Sequence, residues 1–389
     1  MNHTFHIPTK TLFGVGRLAE LHRQPMPGAR ALLVISSGKS VRSGGSLQRT
    51  ENELRQAGVA VTVFDKVSAN PTRAAVMAGA AHARGEGCDF VVALGGGSVL
   101  DAAKAIALMA VNPGDYWDYI PFGTGRGRPV ANGALPIIAI PTTAGTGSET
   151  DASGVITNED TNEKIGFPHP ALFPVLAIVD PDLTRSVPPL FTAFQGFDAL
   201  FHATECFISN KANMLGDIYA EAVIGNVGRF LARAVADGED MEARVGMALA
   251  STLAGALMTI SGLVSEHSLE HALSAFHPDL PHGAGLVMLS QAYNAFLVER
   301  GVAPDKFVVM ARLLGIEDAA HPSDFLLALR NLINACRVQD VKMSDYGITS
   351  DEFPVMARNA RESMSRLFMN DPVELNDADC VAIYRKSHR

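Results

Sequence analysis

The sequence has few of the features that mark a secreted protein, a nucleic-acid binder or a membrane protein. Its four cysteines are widely spaced and form no C-x-x-C pair, which indicates buried thiols in a reducing compartment. Acidic residues outnumber basic ones by 41 to 32, and the net charge of −9 argues against nucleic acid or an anionic membrane as a partner. The first ten residues contain neither a basic nor an apolar stretch, so no signal peptide is expected. These absences favour a cytoplasmic protein.

One uncharged run, at positions 245–265, is about twenty residues long and is a candidate membrane span. That length is sufficient to span a bilayer. The segment is nevertheless rich in Ala, Gly, Ser and Thr, and it has no aromatic belt or basic flank. We therefore expect the central, buried helix of a helical domain rather than a membrane span.

A chain of 389 residues with 47% hydrophobic content is large enough for two domains with separate cores. In the first half, short apolar runs alternate with helical segments. The apolar runs cover residues 31–35, 59–64, 90–94, 135–140 and 175–179, and the helical segments cover 46–57, 73–86 and 98–109. Continuous apolar strands that are each followed by a helix predict a parallel sheet with helices on both faces.

The second half is rich in Ala, Leu and Met at helical spacing and has almost no strand-like alternation. Before it, the stretch 153–167 has turn residues between two β-prone pieces and predicts an inserted hairpin. We place the domain boundary near residues 186–189. This gives an α/β dinucleotide-binding domain over 1–187 and an all-helical, metal-binding domain over 188–389.

The second half also contains a group of metal-ligand residue types in DALFH (198–202) and EHSLEHALSAFHPDLPHG (266–283). Asp198 and His202 are four residues apart and therefore share one face of a helix. His267 and His271 repeat that spacing, and His282 follows a proline-bounded loop. One carboxylate and three imidazoles suit a borderline divalent metal such as Fe(II) or Zn(II), with one coordination position open for substrate.

Two segments of the first half favour a bound nucleotide. In VVALGGGSVLDAAKAIA (91–107), a buried strand leads through three glycines into a helix whose start favours a pyrophosphate. The standard G-x-G-x-x-G fingerprint is absent, and Asp101 in the first helical turn could instead hold the fold. The second segment, PTTAGTGSE (141–149), is a loop lined with hydroxyl groups that could wrap a ribose or a phosphate, or be a plain Ser/Thr/Gly loop.

The motifs GGGSVLDAAKAIA, PTTAGTGSE, DALFH and H-x-x-x-H…PHG, in this order and spacing, resemble those of the iron-containing (group III) alcohol dehydrogenase family. The resemblance covers nearly the whole chain. It implies an α/β dinucleotide-binding domain followed by an all-helical domain, with Fe(II), or Zn(II), and NAD(P) as cofactors. The activity it implies is a metal-dependent alcohol dehydrogenase or aldehyde reductase, acting on a short-chain primary alcohol or aldehyde.

By matched position, the resemblance makes Asp198, His202, His267 and His282 the metal ligands. His271 resembles a nearby non-ligand histidine, which makes it the candidate catalytic proton relay. The loop before His282 also contains His277, so either of these two could supply the last ligand. The residues expected to bind the nucleotide are Ser37, Gly38, Ser40, Asn70, Gly96, Gly97, Ser98, Asp101, Thr142, Thr143, Thr146 and Ser148. Weaker candidates for the substrate pocket are Met258 and Asp151.

The choice between NADH and NADPH is expected to depend on the turn after the strand at residues 31–36. NAD-preferring relatives have an Asp there, whereas this chain has Ser37, Gly38 and Lys39 and no acid. Hydroxyls and a cation suit a 2′-phosphate, so the turn resembles the NADPH-preferring branch. NADH remains compatible with such a turn.

Three other functions remain open at this point: a glycerol-type polyol dehydrogenase, a dehydroquinate-synthase-like lyase and a non-catalytic nucleotide-binding protein. The lyase would need a basic cluster for its phosphate, and the segments around the ligands contain no Lys or Arg. That absence favours a small, uncharged substrate. Residues 4–13 are β-prone and resemble an arm that pairs between subunits, so we expect a homodimer or a higher homo-oligomer.

Overall fold

The structure, a computed structural model, describes residues 5–389. The chain divides into two compact units, one formed by His6–Ser186 and the other built on Val187–Arg389. The first unit is α/β and the second is all-helical, which confirms the predicted fold class. Each unit is described separately below.

A parallel sheet of six strands forms the centre of the α/β unit, in the order β1-β8-β5-β4-β2-β3. Each predicted apolar run coincides with one of these strands to within two residues at its start. Strand β4 is buried along its whole length because helices cover the sheet. The strands of the described chain are β1 (Lys10–Phe13), β2 (Arg30–Ser36), β3 (Ala60–Val67), β4 (Phe90–Gly95), β5 (Ile137–Pro141), β6 (Ser153–Asn158), β7 (Glu163–Pro168) and β8 (Leu176–Val179).

Four helices of this unit follow its strands; the last three agree with the three predicted helical segments to within a few residues, and the short first one was not predicted. Thr72 accepts a hydrogen bond from the backbone N–H of Ala75 and so caps α3, while no side chain within residues 5–389 caps α4. The helices are α1 (Ser40–Ser43), α2 (Ser46–Gln56), α3 (Arg73–Gly85) and α4 (Gly97–Val111).

Two features of the α/β unit lie at its margins. Strands β6 and β7 form the predicted antiparallel hairpin. Strand β1 pairs in parallel with β8 of the same chain, so Lys10–Phe13 belongs to the unit's own sheet, where it is an edge strand among residues 5–389. Thr4, the first residue of the predicted subunit arm, lies outside the described residues.

The second unit contains the remaining helices, which are α5 (Pro189–Ile208), α6 (Met214–Ala236), α7 (Met241–Ile260), α8 (Ser265–Phe276), α9 (His282–Glu299), α10 (Pro304–Leu313), α11 (Asp324–Ala335), α12 (Phe353–Ser363), α13 (Ser365–Phe368) and α14 (Asp377–Ser387). Within residues 5–389, α7 alone is long and apolar enough to cross a membrane, and most of it is buried inside this unit.

The prediction of one helix over residues 245–265 is wrong in its extent. Helix α7 ends at Ile260, and Gly262 adopts a left-handed backbone with φ of 100°, which an α-helix does not accommodate. Ser265 then begins the next helix, α8. The uncharged run therefore covers most of α7, the turn that follows it and the first residue of α8.

Candidate active site

Three helices of the helical unit bring the predicted metal ligands together. Helix α5 carries Asp198 and His202 one turn apart, α8 carries His267, and His282 is the first residue of α9. All four side chains come from buried or half-buried positions. Long-range packing of the helices thus completes a pattern of which the sequence shows only the local i, i+4 pairs.

The donor atoms of Asp198, His267 and His282 all lie within 4.8 Å of one another, which suits one small ion, and His202 adds a third imidazole beside Asp198. The Nε2 atoms of His202, His267 and His282 each lie 3.5 Å from Oδ1 of Asp198. Ligand atoms at about 2.1 Å from a tetrahedral ion are about 3.4 Å apart, so these distances match a common ion. Oδ1 of Asp198 and Nε2 of His267 are buried and have no hydrogen-bond partner within residues 5–389. Such orphaned donors and acceptors are costly unless an ion binds them.

The electrostatics of the group also suit a cation. Burial raises the pKa of Asp198, but the imidazoles of His202, His267 and His282 outweigh it and hold this pKa well below its usual range. Burial lowers the pKa of His267, but Glu205 and Asp198 outweigh it and raise this pKa to about 10. The site therefore attracts positive charge. A proton on His267 supplies that charge when no ion is bound, and a bound divalent metal would take the place of the proton.

Two buried glutamates that the sequence reasoning missed orient the imidazoles. Nδ1 of His267 hydrogen-bonds to Glu205, and Nδ1 of His282 hydrogen-bonds to Glu270. A carboxylate that accepts the Nδ1–H fixes the tautomer in which Nε2 is free to bind a metal. The available signal was an acid inside an apolar helix: Glu205 lies seven residues after Asp198, on the same face of α5.

The remaining two histidines of the motif have different surroundings. His271 is buried, and its ring centroid lies 5.4 Å from that of His282 and 6.4 Å from that of His267. His277 caps the end of α8, and its Nε2 hydrogen-bonds to Glu352 at 3.1 Å. The structure therefore places His282, and not His277, in the group with Asp198.

In the α/β unit, three of the predicted nucleotide loops follow neighbouring strands. Because β5, β4 and β2 are parallel and adjacent, their carboxyl ends lie at one edge of the sheet. Ser37 and Gly38 follow β2, and Ser40 begins α1. Gly96 follows β4, and Gly97 and Ser98 begin α4. The loop after β5 carries Thr142, Thr143 and Thr146. Such an edge is where nucleotides bind in open α/β sheets.

The glycines after β4 are required by close packing within the protein. Neither Gly96 nor Gly97 has a left-handed backbone. A Cβ on Gly96 would lie closer than 3.0 Å to the side chain of Thr143, and one on Gly97 would lie closer than 3.0 Å to that of Thr146. The hydroxyl loop thus rests directly on the glycine turn. The uncapped N–H groups at the start of α4 remain suited to a phosphate.

Two of the predicted nucleotide ligands have their hydrogen bonds taken up inside the protein. Ser148 Oγ donates to Asp101 Oδ1 at 2.7 Å and accepts from Lys104 Nζ at 2.8 Å. Oδ2 of Asp101 accepts from the backbone N–H of Val155 at 3.0 Å. Burial raises the pKa of Asp101 to about 6. Asp101 and Ser148 therefore connect protein elements in this structure.

The remaining candidate residues, and the turn expected to select the nucleotide, have different surroundings. Asn70 adopts a left-handed backbone with φ of 50°, which Asn tolerates better than most residues. Asp151 is buried, and its Oδ1 lies 2.7 Å from Lys104 Nζ. Met258 is half-buried on α7. In the turn after β2, Ser37, Gly38 and Lys39 are exposed.

Comparison with known proteins gives matches over both units. Residues 8–181 match the model of iron-containing alcohol dehydrogenase, and residues 192–388 match that of the Fe-containing alcohol dehydrogenase family, C-terminal. A 1,3-propanediol dehydrogenase of Klebsiella pneumoniae is 34% identical over 98% of this chain and 97% of its own length.

Solved structures agree with these matches. An archaeal halo-thermophilic alcohol dehydrogenase from a Red Sea brine pool is 32% identical, with a TM-score of 0.94 over 100% of this chain and 99% of that one. An NADH-dependent butanol dehydrogenase of Thermotoga maritima is 27% identical, with a TM-score of 0.89 over 100% of this chain and 99% of that one.

Proposed function

Because the chain belongs to the iron-containing alcohol dehydrogenase family, and is an oxidoreductase of that family with a His/Asp metal site, we propose that it interconverts short-chain primary alcohols and aldehydes. The observation that carries the proposal is the set of three Nε2 atoms at 3.5 Å from Asp198 Oδ1. With one carboxylate and three imidazoles as ligands, a substrate oxygen would bind as a fifth ligand of the ion.

In the proposed reaction the chain's own residues bind and orient the reacting groups. Asp198, His202, His267 and His282 would hold the ion, and the negative charge of Asp198 anchors it more firmly than a fourth neutral imidazole would. Once bound, the ion supplies Lewis-acid polarisation of the substrate oxygen, and the nicotinamide accepts or donates the hydride. Glu205 and Glu270 keep the imidazoles of His267 and His282 in the ligating tautomer.

His271 is the proposed proton relay. Oxidation of an alcohol to an aldehyde releases one hydride to the nicotinamide and one proton, and the buried ring of His271 lies beside His282 to receive that proton. His271→Ala should therefore retain the metal and slow turnover. An unchanged rate across the whole pH range would remove this role from His271.

The substrate proposal rests on the surroundings of the ligands and on the relatives. The segments DALFHATECF and SLEHALSAF contain no Lys or Arg, which disfavours a phosphorylated or carboxylated substrate. Two of the relatives compared above are named for a diol and a simple alcohol, 1,3-propanediol and butanol. A diol substrate, as in a polyol dehydrogenase, is therefore the second candidate.

For the nucleotide we propose a preference for NADPH over NADH. The exposed turn of Ser37, Gly38 and Lys39 has hydroxyl and ammonium groups and no acid that would repel a 2′-phosphate. Ser37→Asp should shift the ratio of kcat/KM values toward NADH. If the wild type already prefers NADH, or if the ratio is unchanged in the variant, the preference is wrong.

Fe(II) is the proposed physiological ion, with Zn(II) as the alternative that the same ligands accept. Inactivation of the loaded enzyme by air would support Fe(II), whereas an air-stable enzyme would indicate zinc. We also propose a cytoplasmic homo-oligomer, in which a second copy would pair with β1, the edge strand that no other strand within residues 5–389 covers on its outer side. A monomeric mass in solution would contradict the assembly.

The test of the function is anaerobic oxidation of NADPH and NADH by the Fe(II)-loaded protein with short aldehydes and hydroxyaldehydes, and metal-stripped protein as control. We expect aldehyde-dependent oxidation by the loaded protein. A faster reaction with 3-hydroxypropanal than with simple aldehydes of equal length would favour the diol reading. No turnover with any of them, despite bound metal and nucleotide, would contradict the proposal.

A further inference from the structure

Lys104 is a fully buried lysine in the α/β unit that the proposed mechanism does not use. It lies on α4, about two turns after the glycine turn. A buried ammonium is costly unless its charge is paired and its N–H groups are bonded. Lys104 meets both conditions, since its Nζ lies near four acceptors.

Those acceptors come from three successive parts of the chain. Nζ donates to Ser148 Oγ at 2.8 Å at the end of the hydroxyl loop, to Asp151 Oδ1 at 2.7 Å and Asp151 O at 3.1 Å, and to Ser153 O at 2.8 Å at the start of β6. Oδ1 of Asp151 also accepts from the backbone N–H of Ser153. The ammonium group of Lys104 thus connects the hydroxyl loop and the β6–β7 hairpin to α4 by hydrogen bonds.

Asp101, one turn earlier on α4, completes the connection. It accepts from Ser148 Oγ and from the backbone N–H of Val155 on β6. On the opposite side the loop rests on the glycine turn through Thr143 and Thr146. The loop is therefore held between Gly96–Gly97 and the buried group of Lys104, Asp101 and Ser148.

We propose that Lys104 is a positioning residue for nucleotide binding, which fixes loop 142–148 in its binding conformation without contacting the nucleotide. This inference rests on the proposed function, because it requires a nucleotide at this edge of the sheet. It also makes Ser148 an intermediary between Lys104 and Asp101 rather than a nucleotide ligand. Direct contact of Nζ with a phosphate is excluded, because Nζ is buried and its three N–H groups have acceptors within the protein.

The test uses the metal-loaded, full-length protein and measures NADPH and NADH dissociation constants by nucleotide fluorescence, together with kcat at saturating nucleotide. Lys104→Met should raise the dissociation constant about tenfold or more, since charged hydrogen bonds are lost. It should leave metal content and kcat at saturation nearly unchanged. Lys306→Met is the matched control, because Lys306 pairs with Asp217 and Phe207 O in the helical unit.

A double-mutant cycle separates positioning from direct contact. Ser148→Ala should weaken nucleotide binding in the wild type and have little further effect in Lys104→Met. An equal loss in both backgrounds would show that Ser148 contacts the nucleotide independently and would overturn the inference, as would wild-type affinity in Lys104→Met.

Two further measurements keep the test decisive. If the unpaired charge of Asp151 prevents Lys104→Met from folding, Lys104→Met/Asp151→Asn removes both charges and should show the same loss of nucleotide affinity. Retained affinity in that variant would overturn the inference. A wild-type protein that binds neither nucleotide would instead refute the proposed function itself.

Discussion

The candidate metal centre and the nucleotide loops use their polar groups in opposite ways. In the helical unit, Oδ1 of Asp198 and Nε2 of His267 are buried without hydrogen-bond partners within residues 5–389, and they face a common point. In the α/β unit, Asp101 and Ser148 have their hydrogen bonds satisfied by the protein. Side chains therefore define the metal centre, whereas backbone groups and loop shape define the nucleotide edge.

The largest effect should come from removing a metal ligand, which separates the two regions functionally. His267→Ala deletes one imidazole, removes the histidine partner of Glu205 and should abolish metal binding. Nucleotide binding should persist, because the loops belong to the other unit. Metal analysis and nucleotide fluorescence on one sample check both points. His277→Ala is the control, since His277 bonds to Glu352, and it should keep its metal.

A smaller loss is expected from the carboxylates behind the ligands. Glu270→Gln removes the charge that holds Nδ1 of His282 and should weaken metal binding by about 10- to 100-fold. Competition with a chelating dye gives the affinity. Glu352→Gln alters a comparable His–carboxylate pair outside the centre and should leave metal affinity unchanged; a loss there equal to that of Glu270→Gln would remove the orienting role.

In the α/β unit, a methyl group at the glycine turn should disturb nucleotide binding without touching the metal. The Cβ of Gly97→Ala would overlap Thr146, and overpacking typically costs about 1–3 kcal/mol, so nucleotide affinity should fall about tenfold. Gly85→Ala, at the end of α3, meets open space and should bind nucleotide normally. Normal binding by Gly97→Ala would show that the loop contact is dispensable.

The smallest effect on metal and nucleotide binding is expected from Asp371, whose titration changes the stability of the fold with pH. Burial raises the pKa of Asp371 to about 7, although this carboxylate accepts from Ser265 N–H and Tyr293 Oη–H. A raised pKa means that the folded protein holds a proton that the unfolded chain releases above about pH 4. The free energy of unfolding should therefore fall as the pH rises from about 4 to about 7, by at most about 1.4 kcal/mol per pH unit from this group.

Asp371→Asn should flatten that slope, measured by urea unfolding of the metal-free protein at several pH values. The comparison of variant and wild type isolates Asp371 from other groups that titrate in this range. Equal slopes in the two proteins would contradict the assignment.

In the helical unit, the sequence indicates the candidate metal ligands more clearly than the glutamates that hydrogen-bond to them. Asp198 and His202 share one turn, which a period of 3.6 residues reveals directly. Glu205 is 62 residues from His267, and no local pattern indicates that the two meet. The pairing of β1 with β8 is even more remote in sequence. Such contacts depend on how helices and strands pack, so the local spacing of residues does not predict them.

In the α/β unit, the sequence indicated the right loops but not what each residue contacts. Gly96 and Gly97 were predicted to make room for a nucleotide, and the structure shows them making room for Thr143 and Thr146. The sequence does not predict the burial of Lys104, because a lysine on a helix is usually solvated. The role of a polar residue in this unit depends on which distant segment of the chain packs over it. The tertiary structure determines that packing.

The most direct test of the metal centre is an anaerobic Fe(II) titration of the metal-free protein, with bound iron and aldehyde-dependent NADPH oxidation measured on the same samples. Turnover should rise in proportion to bound Fe(II) and level off at one ion per chain, and Asp198→Ala should neither bind the ion nor turn over. Full turnover without metal, or undiminished iron binding in Asp198→Ala, would contradict the account.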